Sequence, residues 1–176
     1  MNIVPLEIEG AFIIEIEKNT DKRGFFARSF DKKICKKLGM KTDFVQNNIS
    51  FNKNKGTIRG MHYQKIPFQE AKLVRCVRGK VFEVILDLRK DSKTYKKWIS
   101  EELSSDNYKL IYVPEGCALG FQTLEDETEL FYQMSQYYEP EASLGVKWDD
   151  PAFNIKWPLE VTVISEKDSS LDLFSE

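Results

Sequence analysis

The sequence predicts a mainly β protein: an antiparallel sandwich or barrel of the jelly-roll kind, with one or two short helices. Three observations carry this. Roughly ten short apolar runs follow one another, separated by turn residues. Aromatic residues make up 12% of the chain, with 12 Phe and 7 Tyr, side chains that suit a pleated sheet. Only one stretch has a convincing helical period. Periodicity alone does not separate a sandwich from a barrel.

Taken in order, AFIIEIE at 11–17 reads as a strand. In 30–39, Phe30, Ile34 and Leu38 recur at a four-residue step, Lys fills the other face, and Gly39 ends a helix. Segments 44–49, 57–64 and 72–77 are short strands. Residues 72–88 read as a hairpin, with Arg78-Gly79 as its tight turn. In its second strand Phe82, Val84, Leu86 and Leu88 share one face; Val81, Glu83, Ile85 and Asp87 share the other. Further strands are expected near 96–102, 109–113, 118–124, 128–137, 144–148 and 161–164.

The chain has 176 residues, 41% of them apolar, enough to bury a core as one domain over 1–176. Lys and Arg number 26 against 28 Asp and Glu, so no strong field marks a nucleic-acid or membrane-surface binder. No apolar run reaches the roughly 18 residues of a membrane span. The opening MNIVPLEIEGAF lacks the basic and apolar regions of a signal peptide, so a cytoplasmic location is expected. Cys35, Cys76 and Cys117 show no CxxC spacing and read as reduced, buried thiols. His62 is the single His, which excludes metal sites needing two. There is no glycine-rich dinucleotide motif, and no cofactor is expected.

The densest cluster of chemistry is Thr57–Gln64, holding Arg59, His62, Tyr63 and Gln64. His62 is the one side chain suited to act as a base near neutrality. Arg59 is costly to bury unless it meets an anion. Residues 59 and 62 point to opposite faces of a regular strand, but Gly60 can host a bulge that reconciles them. Tyr132 shares a face with Leu130 and Met134, which would bring its hydroxyl into an apolar interior. Read alone, Lys72 is a solvated amine at a strand start, and Asp168 a turn residue.

Taken together, these places resemble one family, the dTDP-4-dehydrorhamnose 3,5-epimerases of the cupin superfamily. The resemblance runs in order through Asp21-Lys-Arg-Gly-Phe-Phe26, Phe44-Val-Gln-Asn-Asn48, Arg59-Gly-Met-His-Tyr-Gln64 and Ala71-Lys-Leu-Val74. It continues through Asp87-Leu-Arg89, Pro114-Glu-Gly116, Tyr132, Trp148-Asp-Asp-Pro151, Trp157-Pro158 and Ser165-Glu-Lys-Asp168.

The resemblance implies a metal-free cupin barrel that forms a homodimer by strand exchange. Its substrate is a nucleoside-diphosphate 4-keto-6-deoxy sugar, inverted at C3, C5 or both. On this analogy His62 is the base, Asp168 holds its imidazole, Tyr132 is the acid and Lys72 stabilises the enolate. Arg59 and Lys167 meet the diphosphate. Arg23 and Phe26 reach the nucleotide from the partner subunit, with Gln46, Asn48 and Tyr138 nearby. The chain departs from the family pattern at Arg28 (usually Glu), Glu83 (usually Asp), Cys117 (usually aromatic) and Leu119 (usually His). Arg28, Glu83 and Leu119 are carried over as substrate-binding positions. The changes at Arg28 and Leu119 point to a variant substrate, such as a GDP- or CDP-linked 4-keto sugar. The competing readings are a nucleotide-keto-sugar isomerase and a cupin that binds a nucleotide sugar without turning it over.

Overall fold

A computed structural model describes residues 1–175. Its strands are β1 (Asn2–Pro5), β2 (Phe12–Glu15), β3 (Asn19–Asp21), β4 (Gly24–Phe26), β5 (Gln46–Asn52), β6 (Ile58–Gln64) and β7 (Lys72–Arg78). They continue with β8 (Lys80–Asp87), β9 (Trp98–Ser104), β10 (Leu110–Val113), β11 (Cys117–Thr123), β12 (Thr128–Met134) and β13 (Ser143–Gly145). Two short helices, α1 (Lys32–Lys37) and α2 (Glu166–Ser169), complete the set. A six-stranded sheet runs β1-β2-β10-β7-β12-β5, and a five-stranded sheet runs β13-β6-β11-β8-β9. All pairings within them are antiparallel. β3 and β4 form a separate two-stranded ribbon. This is the mainly β, cupin-like jelly roll that the sequence and the resemblance led us to expect.

Three apolar layers hold the sheets. Between them lie Ile13, Val74, Ile111 and Leu130 from one sheet, against Val81, Ile85, Leu103 and Phe121 from the other. The outer face of the six-stranded sheet is covered by Cys35 and Met40, packed on Ile14, Leu73, Leu110 and Tyr112. The outer face of the five-stranded sheet carries Met61, Val84, Leu86 and Ala118 under Val146, Phe153 and Ile155. β8 therefore divides as its alternation predicts. Phe82, Val84, Leu86 and Leu88 face the outer layer, and Val81 and Ile85 face the inner one.

The expected hairpin over 72–88 is not one. β7 pairs with β10 and β12, whereas β8 pairs with β9 and β11. Gly79, at φ +71°, turns the chain from one sheet into the facing one. Both arms are apolar on two faces, so their alternation could not show that they lie in different sheets. The strand expected at 11–17 is shorter and lies inside its sheet, between β1 and β10; β1 is the edge. The strand expected near 161–164 is reduced to a bridge between Thr57 and Val163. β1, the β3–β4 ribbon and α2 are additions.

The helix forms where expected but turns a different face inward. Asp31 caps it, accepting from the N–H groups of Lys33 and Ile34, and Lys36 and Lys37 complement its C-terminal end. Gly39 follows at φ +78°. Cys35 is its buried residue, while Ile34 and Leu38 are 43% and 44% exposed. The step from 30 to 34 to 38 does not describe a helix that begins only at 32. All three cysteines are free and buried, as predicted. No described helix is long and apolar enough to cross a membrane.

Two features brace the β6–β11–β8 sheet. Asp87 is fully buried, and its carboxylate accepts from the Arg89 guanidinium, Ser92 Oγ and Thr94 Oγ1. Burial pushes its pKa up, but these bonds outweigh burial and hold it at about 2. Opposite, the register shifts between β6 and β11: Leu119 pairs with His62, yet Phe121 pairs with Arg59. The bulge centres on Gly60, at φ +127°, where a Cβ would lie 2.9 Å from the Leu119 carbonyl oxygen and closer still to Gly120 Cα.

Asp87→Ala should cost about 3–5 kcal/mol in urea unfolding, since it strands the Arg89 charge and two hydroxyls. The stability Asp87 adds through its lowered pKa is present above about 3.8 and is lost as pH falls towards 2. Unchanged acid unfolding in that variant would remove the role. Gly60→Ala should cost roughly 3 kcal/mol or more, because both the left-handed backbone and the contact with Gly120 resist a side chain.

Candidate active site

At one end of the space between the sheets lies a cavity of about 550 Å³. β6, β8 and β11 supply one wall, and β5, β7 and β12 the other. The Gly60 bulge resolves the parity conflict, and Arg59 and His62 both line the cavity. His62 Nε2 meets Asp168 Oδ1 at 2.7 Å. Asp168 sits in α2, and its other oxygen accepts from the Gly60 N–H at 3.2 Å. Asp168 is thus a buried partner rather than a turn residue. Burial pushes its carboxyl up, but the bonds from His62 and Gly60 hold it below the ordinary value. With Nε2–H given to Asp168, the Nδ1 lone pair is the free basic site.

Tyr132 extends from β12 on the opposite wall, on one face with Leu130 and Met134. Its hydroxyl has no hydrogen-bond partner among the described residues, so it is not a core tyrosine tied to backbone. Burial pushes its pKa up, which keeps the phenol protonated. Lys72, at the start of β7, is buried rather than solvated. Its ammonium meets Glu70 Oε1 at 2.8 Å and donates to the His62 carbonyl at 3.2 Å. Sequence reasoning did not single out Glu70. Its signal was the two-residue step to Lys72, which puts both on one face of extended chain.

The remaining expected residues divide. Leu119, Glu83, Tyr138 and Lys167 line the cavity. Glu83 is fully buried, with neither carboxylate oxygen hydrogen-bonded, and burial pushes its pKa to about 8 against the charge of Lys72. Arg59 lies exposed at the rim, with Nε 2.7 Å from Asn52 Oδ1. Gln46 and Asn48 do not line the cavity. Gln46 accepts from the Tyr138 N–H at 2.7 Å, and Asn48 contacts Met134 Sδ at 3.4 Å. Arg23, Phe26 and Arg28 are also outside it. Arg23 is exposed and pairs with Asp21; Phe26 is 72% exposed on the ribbon. Arg28 pairs with Asp31, the cap of α1, at 3.1 Å. Cys117 lies in the core beside Asp87 rather than in the cavity. Among the described residues no cluster of His, Cys, Asp and Glu could hold a metal ion.

The family model for dTDP-4-dehydrorhamnose 3,5-epimerase matches residues 5–176. The chain is 42% identical over 169 residues to the dTDP-4-dehydrorhamnose 3,5-epimerase of Shigella flexneri, covering 96% of this chain and 93% of that one. Its fold matches the Bacillus anthracis enzyme of that name, solved with TDP and pyrophosphate bound, at a TM-score of 0.94 and 39% identity, over 98% of this chain and 99% of that one. It also matches a Legionella pneumophila dTDP-6-deoxy-D-glucose-3,5-epimerase, solved with dTDP-4-keto-L-rhamnose, at a TM-score of 0.90 and 37% identity, over 98% and 92%. With a His–carboxylate pair and a tyrosine on facing walls of one cavity, and with these likenesses over nearly its whole length, the chain belongs to the dTDP-4-dehydrorhamnose 3,5-epimerase family and is an epimerase.

Proposed function

We propose that this single-domain chain inverts C3 and C5 of a dTDP-linked 4-keto-6-deoxy sugar, without a cofactor. The observation that carries the reading is that base and acid stand on facing sheets, His62 on β6 and Tyr132 on β12. A sugar lying between them can lose a proton to one wall and receive one from the other, which is what inversion beside a ketone requires. His62 Nδ1 takes the α proton, and Asp168 stabilises the imidazolium. The electron pair moves onto the C4 oxygen, near the Lys72 ammonium. The Tyr132 O–H returns a proton on the opposite face; the His62 imidazolium then gives up its proton to water and the Tyr132 phenolate takes one back. Arg59 and Lys167, at the cavity rim, bind the diphosphate.

A thymidine nucleotide is favoured over the GDP or CDP expected from the sequence. Arg28 was half the case for a changed base, and its charge is engaged by the Asp31 cap, outside the cavity. The B. anthracis relative carries TDP. Leu119 remains in the cavity wall, where it supplies an apolar contact to the sugar.

A homodimer fits the surface. β5 is a sheet edge, and Ile49, Phe51 and Phe131 lie 68%, 47% and 37% exposed on one face beside it. Such an edge is suited to pairing with a second copy. The exposed ribbon of one copy would then bring Arg23 and Phe26 to the nucleotide of the other.

In D2O with dTDP-4-keto-6-deoxyglucose, deuterium should enter at C3 and C5, and faster than with the GDP or CDP analogue. Uptake at one carbon alone would make the chain a mono-epimerase. No uptake with any nucleotide would sink the proposal. His62→Asn should lower exchange at both carbons by about 100-fold or more. Tyr132→Phe should keep proton removal but lose inverted product; normal product yield would take Tyr132 out of the acid role. Phe131→Asp, outside the cavity lining, should give a monomer by light scattering, with KM raised about tenfold as Arg23 and Phe26 withdraw. An unchanged dimer would place the interface elsewhere.

A further inference from the structure

We propose that Glu83 is a neutral carboxylic acid in the working protein, and that its O–H is a second hydrogen-bond donor beside Lys72 to the substrate oxygen on which charge develops. Taking that oxygen to be the sugar's O4 rests on the epimerase reading above.

The placement of Glu83 argues for the neutral form. It projects from β8 into the cavity wall and has no exposed surface. Neither of its oxygens meets a donor. A carboxylate here would be a buried anion with no bonded cation, an arrangement proteins avoid by keeping the proton. None of the charged groups around it is bonded to it. On β7, Lys72 is held by Glu70 at 2.8 Å, and the Cys76 thiol is buried and pushed up to about 12. On β9, Glu101 is the register partner of Glu83, and its charge is balanced by Lys109 at 3.6 Å. On β11 the register partner is Phe121, which carries no charge. On β6, Arg59 keeps its charge at the exposed rim, with Nε on the neutral Asn52 Oδ1, and His62 is paired with Asp168 of α2 at 2.7 Å. On β12, Tyr132 is uncharged in its protonated form. Glu70 and Lys72 pair, as do Glu101 and Lys109, and none of these groups bonds Glu83, so an ionised Glu83 would be a buried, unbonded anion beside the place where an enolate must form.

The neutral form also explains why two acidic side chains can sit near one catalytic ammonium. An anionic Glu83 would compete with the enolate for Lys72. A protonated one leaves the ammonium charge intact and adds a donor that cannot repel the developing oxyanion. Unbonded in the free protein, its O–H breaks no protein hydrogen bond when the side chain turns towards the cavity it lines to meet a substrate oxygen.

Infrared difference spectroscopy of the intact free protein reads the proton directly. A carboxylic-acid C=O band should be present at neutral pH, fade as pH rises through about 8, and be absent in Glu83→Gln. In Glu83→Asp it should shift but persist. Stability gives a second readout that needs no substrate. Between pH 4.5 and 8 folded Glu83 keeps a proton that the unfolded chain releases, so the wild type loses stability as pH rises through this window. Glu83→Gln should lack that slope. In turnover, Glu83→Gln retains a donor and should lower kcat/KM a few-fold, whereas Glu83→Leu should lower it about 100-fold. The fall in wild-type kcat/KM above about pH 8 should also disappear in Glu83→Gln. Absence of the band in wild type, or equal losses in the Gln and Leu variants, would overturn the proposal. If the band is present but the wild type exchanges no proton of any 4-keto sugar, the neutral acid stands and the epimerase reading of the cavity falls.

Discussion

The close approach of Gly60 to Gly120 is the constraint on which the site depends. It lets β6 carry one more residue than β11 between the paired positions Arg59–Phe121 and His62–Leu119. A regular strand would send Arg59 and His62 to opposite faces, one into the cavity and one into the outer apolar layer. The bulge brings both to the cavity and sends Met61 to the outer layer instead. It also aims the Gly60 N–H at Asp168, so one carboxylate ties α2 to the strand that carries His62. Any side chain at position 60 would disturb all of these relations at once.

The cavity is charged but nearly balanced. Asp168 is held ionised by His62 and a backbone N–H, and Glu70 answers Lys72. Glu83 has no such answer and keeps its proton at neutrality, on the reading developed above. The walls divide the labour between two sheets. His62 and its carboxylate partner belong to the five-stranded side, while Tyr132 and Lys72 belong to the six-stranded side. A planar enolate between them would meet a basic group on one face and a donor on the other. On the proposed function, inversion follows from how the sheets face each other more than from any one residue's reactivity.

Much of this was legible in the chain. The alternation of β8 gave both of its faces, because a strand buried on both sides still has a two-residue period. The face shared by Leu130, Tyr132 and Met134 followed in the same way. Gly60 could be named as a bulge from the clash of parity between Arg59 and His62. Asp168 and Lys72 could not be found locally. Their neighbours in sequence suggest a turn and a solvated amine, and only the resemblance to a family pointed to them. The apparent hairpin at 72–88 shows the converse error, since the local pattern around Arg78-Gly79 is the same whether the chain folds back or crosses to the other sheet. The helix face at 30–38 failed because so short a helix is oriented by what it packs on, here Cys35 and Met40 against the sheet.

By itself the sequence determined the strand-rich class, the faces of its individual strands, the single histidine available as a base, and the family. These are properties of residue type and short-range spacing, and they survive in any arrangement of the strands. The tertiary structure alone decided that β7 and β8 lie in different sheets and that Asp168 returns over a separation of 106 residues to His62. It alone decided that Lys72 is buried against Glu70, and that Glu83 is sealed in without a partner. Each of these depends on which distant groups share a dry space. Desolvation and pairing act through space, so local sequence does not encode them.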